Sequence, residues 1–246
     1  MLVYNDQERK ISMVGTVIDI ETTGWLKFNT VNGVSQLSDE SEILEVGYIN
    51  VDMNTKEILN HGTLYFYKPY FNVESEAQKV HGLTRDFLQK YEQDFEKNLI
   101  ALNAMLQCTC IIGKNSAKFD EPFLKAFLQK HAGHKFDISD LAFRLNMNAY
   151  NGGKVIYENS CYSLDMQTIY KDRFHSLWFD KYKYPLAPGK KGKLEEYIDV
   201  LPNGQKVVDY VYNGFDKDRT TGAHGALYDA VMTYVIWVDA WNHDLL

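Results

Sequence analysis

The chain has 246 residues, of which 45% are hydrophobic and 24% are charged, and its formal net charge is −7. This length suits a folded protein with a substantial core, and the acidic balance argues against a protein that coats nucleic acid through bulk positive charge. No apolar run approaches the roughly 18 residues that would cross a bilayer, and the 3 cysteines are too few for a disulfide framework. We therefore expect a cytoplasmic protein without a membrane partner.

The front of the chain is rich in strand patterns. Residues 12–20 (SMVGTVIDI), 42–52 (EILEVGYINVD) and 58–68 (ILNHGTLYFYK) are apolar or alternating over strand lengths. The intervening segment 53–57 (MNTKE) is typical of a hairpin turn. Three consecutive strands with a short turn predict an antiparallel meander.

Helical periods appear after residue 90. Leu99, Leu102 and Leu106 recur at helical spacing, and a short buried strand is predicted at 108–114 (CTCIIGK). Residues 119–131 (FDEPFLKAFLQKH) predict a helix that tolerates Pro122 in its first turn. Helices are also predicted at 162–174 and 193–201.

The last 50 residues combine a turn signal with a long helix. Asn203 and Gly204 stand between β-forming residues and predict a hairpin over 200–212. The final helix is predicted from about Gly225 to Asn242 because its apolar residues form one stripe. The whole pattern predicts a single α/β domain over 1–246, with excursions at 25–42, 135–160 and 200–222.

Asp19 and Glu21 interrupt the apolar run of the first strand. Side chains two residues apart in a strand leave the same face, so both carboxylates crowd one end of this strand. Buried carboxylates are costly unless a positive charge compensates them. A hard divalent cation with oxygen ligands is the natural compensator, and it requires further acids from elsewhere in the fold.

Two later segments offer such acids. Asp120 opens a predicted helix directly after a buried strand, where an acid at the start of a helix is also common without any further role. Asp229 lies in the apolar stripe of the last helix, which is a harder place to explain for an acid. His224 precedes this helix beside glycine, where a histidine is usually a loop residue.

Three segments in order carry a family resemblance: DIETTG (19–24), KNSAKFD (114–120) and HGALYDA (224–230). They resemble the three motifs of the DnaQ-like 3′-to-5′ exonucleases, in the subtype whose third motif is His-x-x-x-x-Asp. That family includes the epsilon proofreading subunit of bacterial replicative DNA polymerases, which the chain resembles over residues 13–240. The resemblance implies a ribonuclease-H-like mixed sheet, with an antiparallel meander plus parallel strands, flanked by helices.

The resemblance also implies roles for the site residues. Asp19, Glu21, Asp120 and Asp229 would hold two divalent ions, Mg²⁺ or Mn²⁺. His224 would be the general base that takes a proton from the attacking water, because imidazole titrates near neutral pH.

Residue-by-residue matching extends to the substrate side. The residues expected to border the 3′-terminal nucleotide or to support the second motif are Thr22, Thr23, Gly24, His81, Asn115 and Phe119. Helix capping or packing is an equally good interpretation of His81. Trp25 or Phe28 could stack on a base, although loop packing is the favoured interpretation.

The chain departs from the family pattern in two places. Lys114 stands where the family usually has histidine, and the segment 200–222 is an insertion whose hairpin could guide the nucleic acid strand. A lysine cluster at 188–193 (PGKKGK) is interpreted as a solvated loop.

The sequence thus favours a metal-dependent 3′-to-5′ exonuclease acting on single-stranded DNA. An RNA exonuclease of the same family stays open, because the motifs do not report the sugar. A non-catalytic module that binds nucleic acid or protein is a third interpretation, but it predicts the loss of a catalytic position. A polymerase partner is possible, although the residues after Asp229 are too few for the tail by which epsilon subunits hold their polymerase.

Overall fold

The computed structural model describes residues 13–25, 27–31, 34–38, 41–106, 108, 110–116, 118–132, 149–151, 154–156, 162–166, 193–217 and 224–242. Its strands are β1 (Val14–Thr22), β2 (Phe28–Val31), β3 (Val34–Leu37), β4 (Ile43–Asp52), β5 (Ile58–Tyr65), β6 (Cys110–Gly113), β7 (Ala149–Asn151), β8 (Lys154–Ile156) and β9 (Tyr162–Asp165). Its helices are α1 (Ser75–His81), α2 (Arg85–Leu88), α3 (Phe95–Met105), α4 (Asp120–Ala132), α5 (Leu194–Ile198), α6 (Gly204–Asn213) and α7 (Ala226–Asn242), with a 3₁₀ helix at Gln89–Asp94.

Within these ranges, a 7-stranded mixed sheet has the order β5-β4-β1-β6-β9-β8-β7. The strand β4 pairs antiparallel with both β1 and β5, so the predicted meander is confirmed. The strands β6 and β9 continue the sheet in parallel with β1. The predicted mixed α/β sheet is therefore confirmed, and none of the described helices is long and apolar enough to cross a membrane.

Apolar side chains pack against both faces of the sheet. On one face, Val17 joins a core with residues of α5, α6 and α7. On the other face, Ile18 and Ile20 join residues of α3 and α4. Because Asp19 and Glu21 follow Val17 in steps of two residues, β1 directs both acids to the face that α7 covers.

Gly47 allows α7 to lie directly on the sheet beside Asp19. The register of β1 and β4 places Gly47 opposite Asp19. A Cβ atom at this glycine would lie 2.2 Å from the carbonyl carbon of Ala226 and 2.2 Å from the backbone nitrogen of Leu227. Only a residue without a side chain therefore permits this approach of the first turn of α7.

The predicted hairpin at 200–212 is wrong, because α6 occupies this segment. Asn203 takes a left-handed conformation with φ 57° and leads into the helix, whereas a hairpin would place Asn-Gly at its tip. Gly204, Val208 and Tyr212 recur every four residues and are all buried. Burial of this helical face overrides the strand preference of the valine and tyrosine side chains.

The predicted helix at 162–174 is also wrong at its start. Residues Tyr162–Asp165 form β9, which pairs in parallel with β6, and residues 167–174 lie outside the described ranges. The excursion 135–160 contains the antiparallel pair β7 and β8, which extends the sheet beyond β9. The excursion 25–42 contains the separate two-stranded sheet of β2 and β3.

The contact between Gly47 and α7 gives a stability prediction. Gly47→Ala should lower the free energy of unfolding by about 1–3 kcal/mol, because the added methyl group meets rigid helix backbone. Urea denaturation measures this loss. The control is Gly62→Ala, where the new Cβ atom would meet the hydroxyl of Tyr48 at 3.0 Å, the far end of a side chain. Equal stability of the two variants would contradict the packing argument.

Candidate active site

Three acids from two elements converge at the carboxyl end of β1. Asp19 and Glu21 come from β1, and Asp229 comes from the first turns of α7. One carboxylate oxygen of each lies within 4.8 Å of the other two. Residues about 200 positions apart in the sequence therefore form one group that could hold a metal ion.

Asp120 begins α4 and lies beside this group. Its side chain is only 3% exposed, and its Oδ1 atom accepts a hydrogen bond from the backbone N–H of Ile20 at 3.1 Å. Ile20 stands between the two acids of β1. The bond therefore fixes the start of α4 to the strand that carries Asp19 and Glu21.

His224 stands just before α7 in a left-handed conformation with φ 71°. Its backbone N–H donates a hydrogen bond of 3.2 Å to Oδ1 of Asp229, while the residue as a whole is exposed. His224 lines the same open cleft as the four acids. The cleft has a volume of about 350 Å³, and we refer to it as the charged cleft.

Three acids of the charged cleft resist ionisation. Burial raises the pKa of Asp19 well above its usual range, and the negative charges of Asp229 and Asp120 raise it further. Burial also raises the pKa of Asp120 and the pKa of Asp229 to about 7 each. A divalent cation would remove this penalty, and a donor set made only of carboxylate oxygens suits a hard cation. The residues therefore fit the predicted metal site.

A second cleft adjoins the charged one, and its lining includes the apolar side chains Trp25, Ala77, Val80 and Phe119, so we call it the apolar cleft. Glu21, Trp25 and Phe119 line both clefts. Trp25 is 78% exposed and contacts the ring of Phe119 edge-on, with centroids 6.2 Å apart. The favoured interpretation of Trp25 as a packed loop residue is therefore wrong.

Most of the predicted substrate-side residues border these clefts. Thr22, Gly24 and His81 line the apolar cleft, and Asn115 lines the charged cleft. Thr23 lies in neither lining. It is buried, and its backbone N–H donates to the carbonyl oxygen of Glu42 at 2.9 Å. Its Oγ1 accepts a hydrogen bond from the backbone N–H of Glu42, also at 2.9 Å.

Hydrogen bonds within the protein fix the conformations of His81 and Asn115. His81 is buried and its Nδ1 accepts the backbone N–H of Leu83 at 2.9 Å, so the packing interpretation is correct, while the residue also lines the apolar cleft. Asn115 has φ 61°, and its backbone N–H donates to Oδ1 of Asp165 at 2.8 Å.

Sequence reasoning missed several acids around the site. Glu45 is buried opposite Glu21 in the register of β1 and β4, and its charge raises the pKa of Asp19. Glu121 accepts a hydrogen bond from Ser163 and lies buried with Asp165. Glu45 was visible in the sequence as an acid within an apolar strand. Asp165 was hidden because its segment was interpreted as a helix.

The RNase_T family model, described as an exonuclease family, matches residues 16–237. The chain belongs to this exonuclease family. The predicted membership of the DnaQ-like exonucleases is therefore confirmed. The closer resemblance to the epsilon subunit stays a prediction.

Solved exonuclease structures share the fold of this chain. Exonuclease I from Methylocaldum szegediense aligns with a TM-score of 0.61 at 16% identity, covering 94% of this chain and 40% of that one. E. coli exonuclease I in complex with a dA16 oligonucleotide aligns with a TM-score of 0.57 at 13% identity, covering 94% and 41%. The chain thus spans about two fifths of the length of these structures. No curated protein matches its sequence.

The raised pKa values predict how stability depends on pH and metal. In the folded exonuclease without metal, Asp120 and Asp229 keep their protons up to about pH 7, whereas aspartate in an unfolded chain loses its proton near pH 4. Because the folded state then binds more protons than the unfolded state, the contribution of these groups to stability falls as the pH rises from about 4 to 7. In EDTA, the melting temperature should therefore decrease over this window, and Mn²⁺ should raise it more at pH 8 than at pH 6.

Replacement of Asp229 tests whether its buried carboxylate causes the dependence of the melting temperature on pH and on Mn²⁺. Asp229→Asn should melt higher than the wild type in EDTA at pH 8 and should lose most of the gain caused by Mn²⁺. The matched control is Asp199→Asn, which changes an exposed aspartate at the end of α5. Differential scanning fluorimetry measures both. An undiminished Mn²⁺ response of Asp229→Asn would contradict the metal site.

Proposed function

We propose that the exonuclease removes nucleotides from the 3′ ends of single-stranded DNA, with two Mg²⁺ or Mn²⁺ ions as cofactors. The metal ligands are Asp19, Glu21, Asp120 and Asp229, and His224 is the general base. The observation that carries the proposal is the convergence of three carboxylates within 4.8 Å at a cleft that His224 also lines. Bound divalent cations supply a positive charge that stabilises the attacking and leaving oxygens of the phosphodiester.

The residues of the chain perform the remaining tasks of the reaction. His224 takes a proton from the attacking water, and its exposed position keeps the imidazole in exchange with solvent. The hydrogen bond between its backbone and Asp229 keeps the base beside the metal ligands. The bond between Asp120 and Ile20 holds the fourth ligand against β1, so the carboxylates are positioned before the substrate arrives.

The apolar cleft suits the terminal nucleoside. Trp25 and Phe119 offer aromatic faces or edges to a base, and stacking on aromatic side chains is tolerant of sequence. Glu21 belongs to both clefts, so a nucleoside in the apolar cleft places its phosphate next to the acids. This arrangement supports cleavage of the last phosphodiester bond of a strand.

Single-stranded DNA is favoured over RNA because of the related folds. E. coli exonuclease I is described in complex with dA16 and, in a zinc-bound form, with single-stranded DNA. The zinc-bound complex aligns with a TM-score of 0.52 at 12% identity. The alternative is an RNA exonuclease with the same catalytic residues. A comparison of DNA and RNA oligomers of one sequence distinguishes the two.

The catalytic roles are tested by substitution. Asp19→Ala and Asp229→Ala should abolish cleavage of a 5′-labelled oligomer, because each removes a metal ligand. His224→Ala should lower kcat by about 10²- to 10⁴-fold, the range of general-base losses, while the metal-dependent rise in melting temperature persists. Excess EDTA should stop the wild type, and Mg²⁺ or Mn²⁺ should restore it. Full activity in EDTA would refute the mechanism.

The substrate class is tested with DNA and RNA oligomers of one sequence. Each carries a 5′ fluorophore and is digested with Mg²⁺ in single-stranded and duplex form. We expect a ladder that shortens from the 3′ end and forms fastest on single-stranded DNA. Faster shortening of RNA would replace the proposed substrate, and immediate release of the labelled 5′ nucleotide would refute the polarity.

A further inference from the structure

We propose that Lys114 and Lys193 form a phosphate-binding subsite in the charged cleft, which holds the backbone of the DNA strand against the acids. The inference rests on the exonuclease activity proposed above and assigns the residues that bind the phosphate backbone of its substrate. Both residues would act by binding, so we expect effects on affinity and on its dependence on salt.

The two lysines reach the charged cleft from different elements. Lys114 follows the last residue of β6 and is half-buried, whereas Lys193 immediately precedes α5 and is exposed. Both line the cleft with Asp19, Asp229 and the other acids, and neither is part of the lining of the apolar cleft. The lysines are therefore placed at the part of the site where phosphate belongs, and away from the part that suits a base.

The position of Lys114 is set by rigid structure. The next residue, Asn115, has a left-handed backbone that is tied to buried Asp165 by a hydrogen bond of 2.8 Å. Lys114 lines the charged cleft together with Asp229 and the other acids. The backbone at Lys114 is thus fixed beside the proposed metal ligands, where a phosphate bound by them would lie.

The charged cleft would keep a net negative charge even with two divalent ions bound, so further cations are needed to attract phosphate. Among the described residues, the acids that line the cleft are Asp19, Glu21, Asp120, Glu195 and Asp229. Two divalent ions would balance four of these charges and leave Glu195 and the incoming phosphates uncompensated. Lysine is a compact charge that binds phosphate well, so Lys114 and Lys193 supply what the metal ions do not.

Another role for the lysines makes a different prediction. If they only neutralised neighbouring carboxylates, their removal would change metal affinity and stability but would release no additional ions from DNA. Lysines that contact phosphate displace the counterions of the strand, so the binding constant depends on salt in proportion to their number. The dependence on salt therefore distinguishes the two roles.

The test measures binding of a 5′-fluorescein oligothymidylate 12-mer by fluorescence anisotropy from 50 to 300 mM KCl. Ca²⁺ replaces Mg²⁺, because it takes the same oxygen ligands. Lys114→Gln and Lys193→Gln should each weaken binding several-fold at 50 mM KCl and reduce the slope of log Kd against log[KCl] by about 0.7, the value for one phosphate contact on a single strand. The double variant should reduce the slope by about 1.4.

Matched variants complete the design. Lys114→Arg and Lys193→Arg keep the charge and should keep the slope, whereas Lys97→Gln removes an exposed lysine of α3 outside both clefts and should change nothing. In steady-state hydrolysis with Mg²⁺, the two Gln variants should raise KM and leave kcat within about twofold, as expected for phosphate contacts.

The outcomes separate the subsite from the activity. Slopes for Lys114→Gln and Lys193→Gln that equal the slope for Lys97→Gln would overturn the subsite and leave the exonuclease proposal intact. A wild type that binds the 12-mer with the expected slope but never shortens it in Mg²⁺ or Mn²⁺ would overturn the proposed function instead.

Discussion

Repulsion between carboxylates at the carboxyl end of β1 is the constraint on which the site depends. Asp19, Asp120 and Asp229 are largely withdrawn from water, and the pKa of each is raised first by that burial. Such a group destabilises the fold at neutral pH, and proteins normally expose such acids or pair them with cations. A divalent cation would turn the repulsion into attraction, so the feature that weakens the metal-free protein is also the one that suits it to hold a metal ion.

The sheet resists this repulsion because its backbone is fixed from several sides. The strand β1 lies between β4 and β6, with Ile18 and Ile20 packed in the core on one face. Gly47 lets the backbone of α7 approach the other face, and the bond from Ile20 to Asp120 ties α4 to the same place. Strand pairing, core packing, the backbone contact at Gly47 and the bond to Asp120 thus hold the acids of three elements together.

Much of this architecture could be predicted because its signals are local. The strands β1, β4 and β5 show apolar runs of strand length, and α4 and α7 show a period near 3.6. Asp19 and Asp229 were recognisable as acids in apolar segments. The roles of Asp120 and His224 needed the family resemblance, since each has an ordinary local interpretation.

What could not be predicted depends on tertiary neighbours. The helix α6 is rich in valine and tyrosine, which favour strands. It is helical because Val208 and Tyr212, four residues apart, pack into the core that also contains residues of α7. The strand β9 has only 4 residues, and its extended form follows from pairing with β6 and β8. Such pairing is invisible in a single sequence, so a helical interpretation of 162–174 prevailed.

The position of the site follows from the parallel strands. In open α/β sheets, ligands bind beyond the carboxyl ends of parallel strands, where side chains from neighbouring strands meet. Here β1 ends near Glu21, β6 is followed by Lys114, and β9 ends at Asp165, which is paired with Gly113 in register. Asp165 does not reach the lining of the charged cleft, but its bond to Asn115 shapes the turn beside Lys114. The carboxyl ends of these strands therefore place acids and a cation side by side, which is the charge pattern that a metal-bound phosphodiester requires.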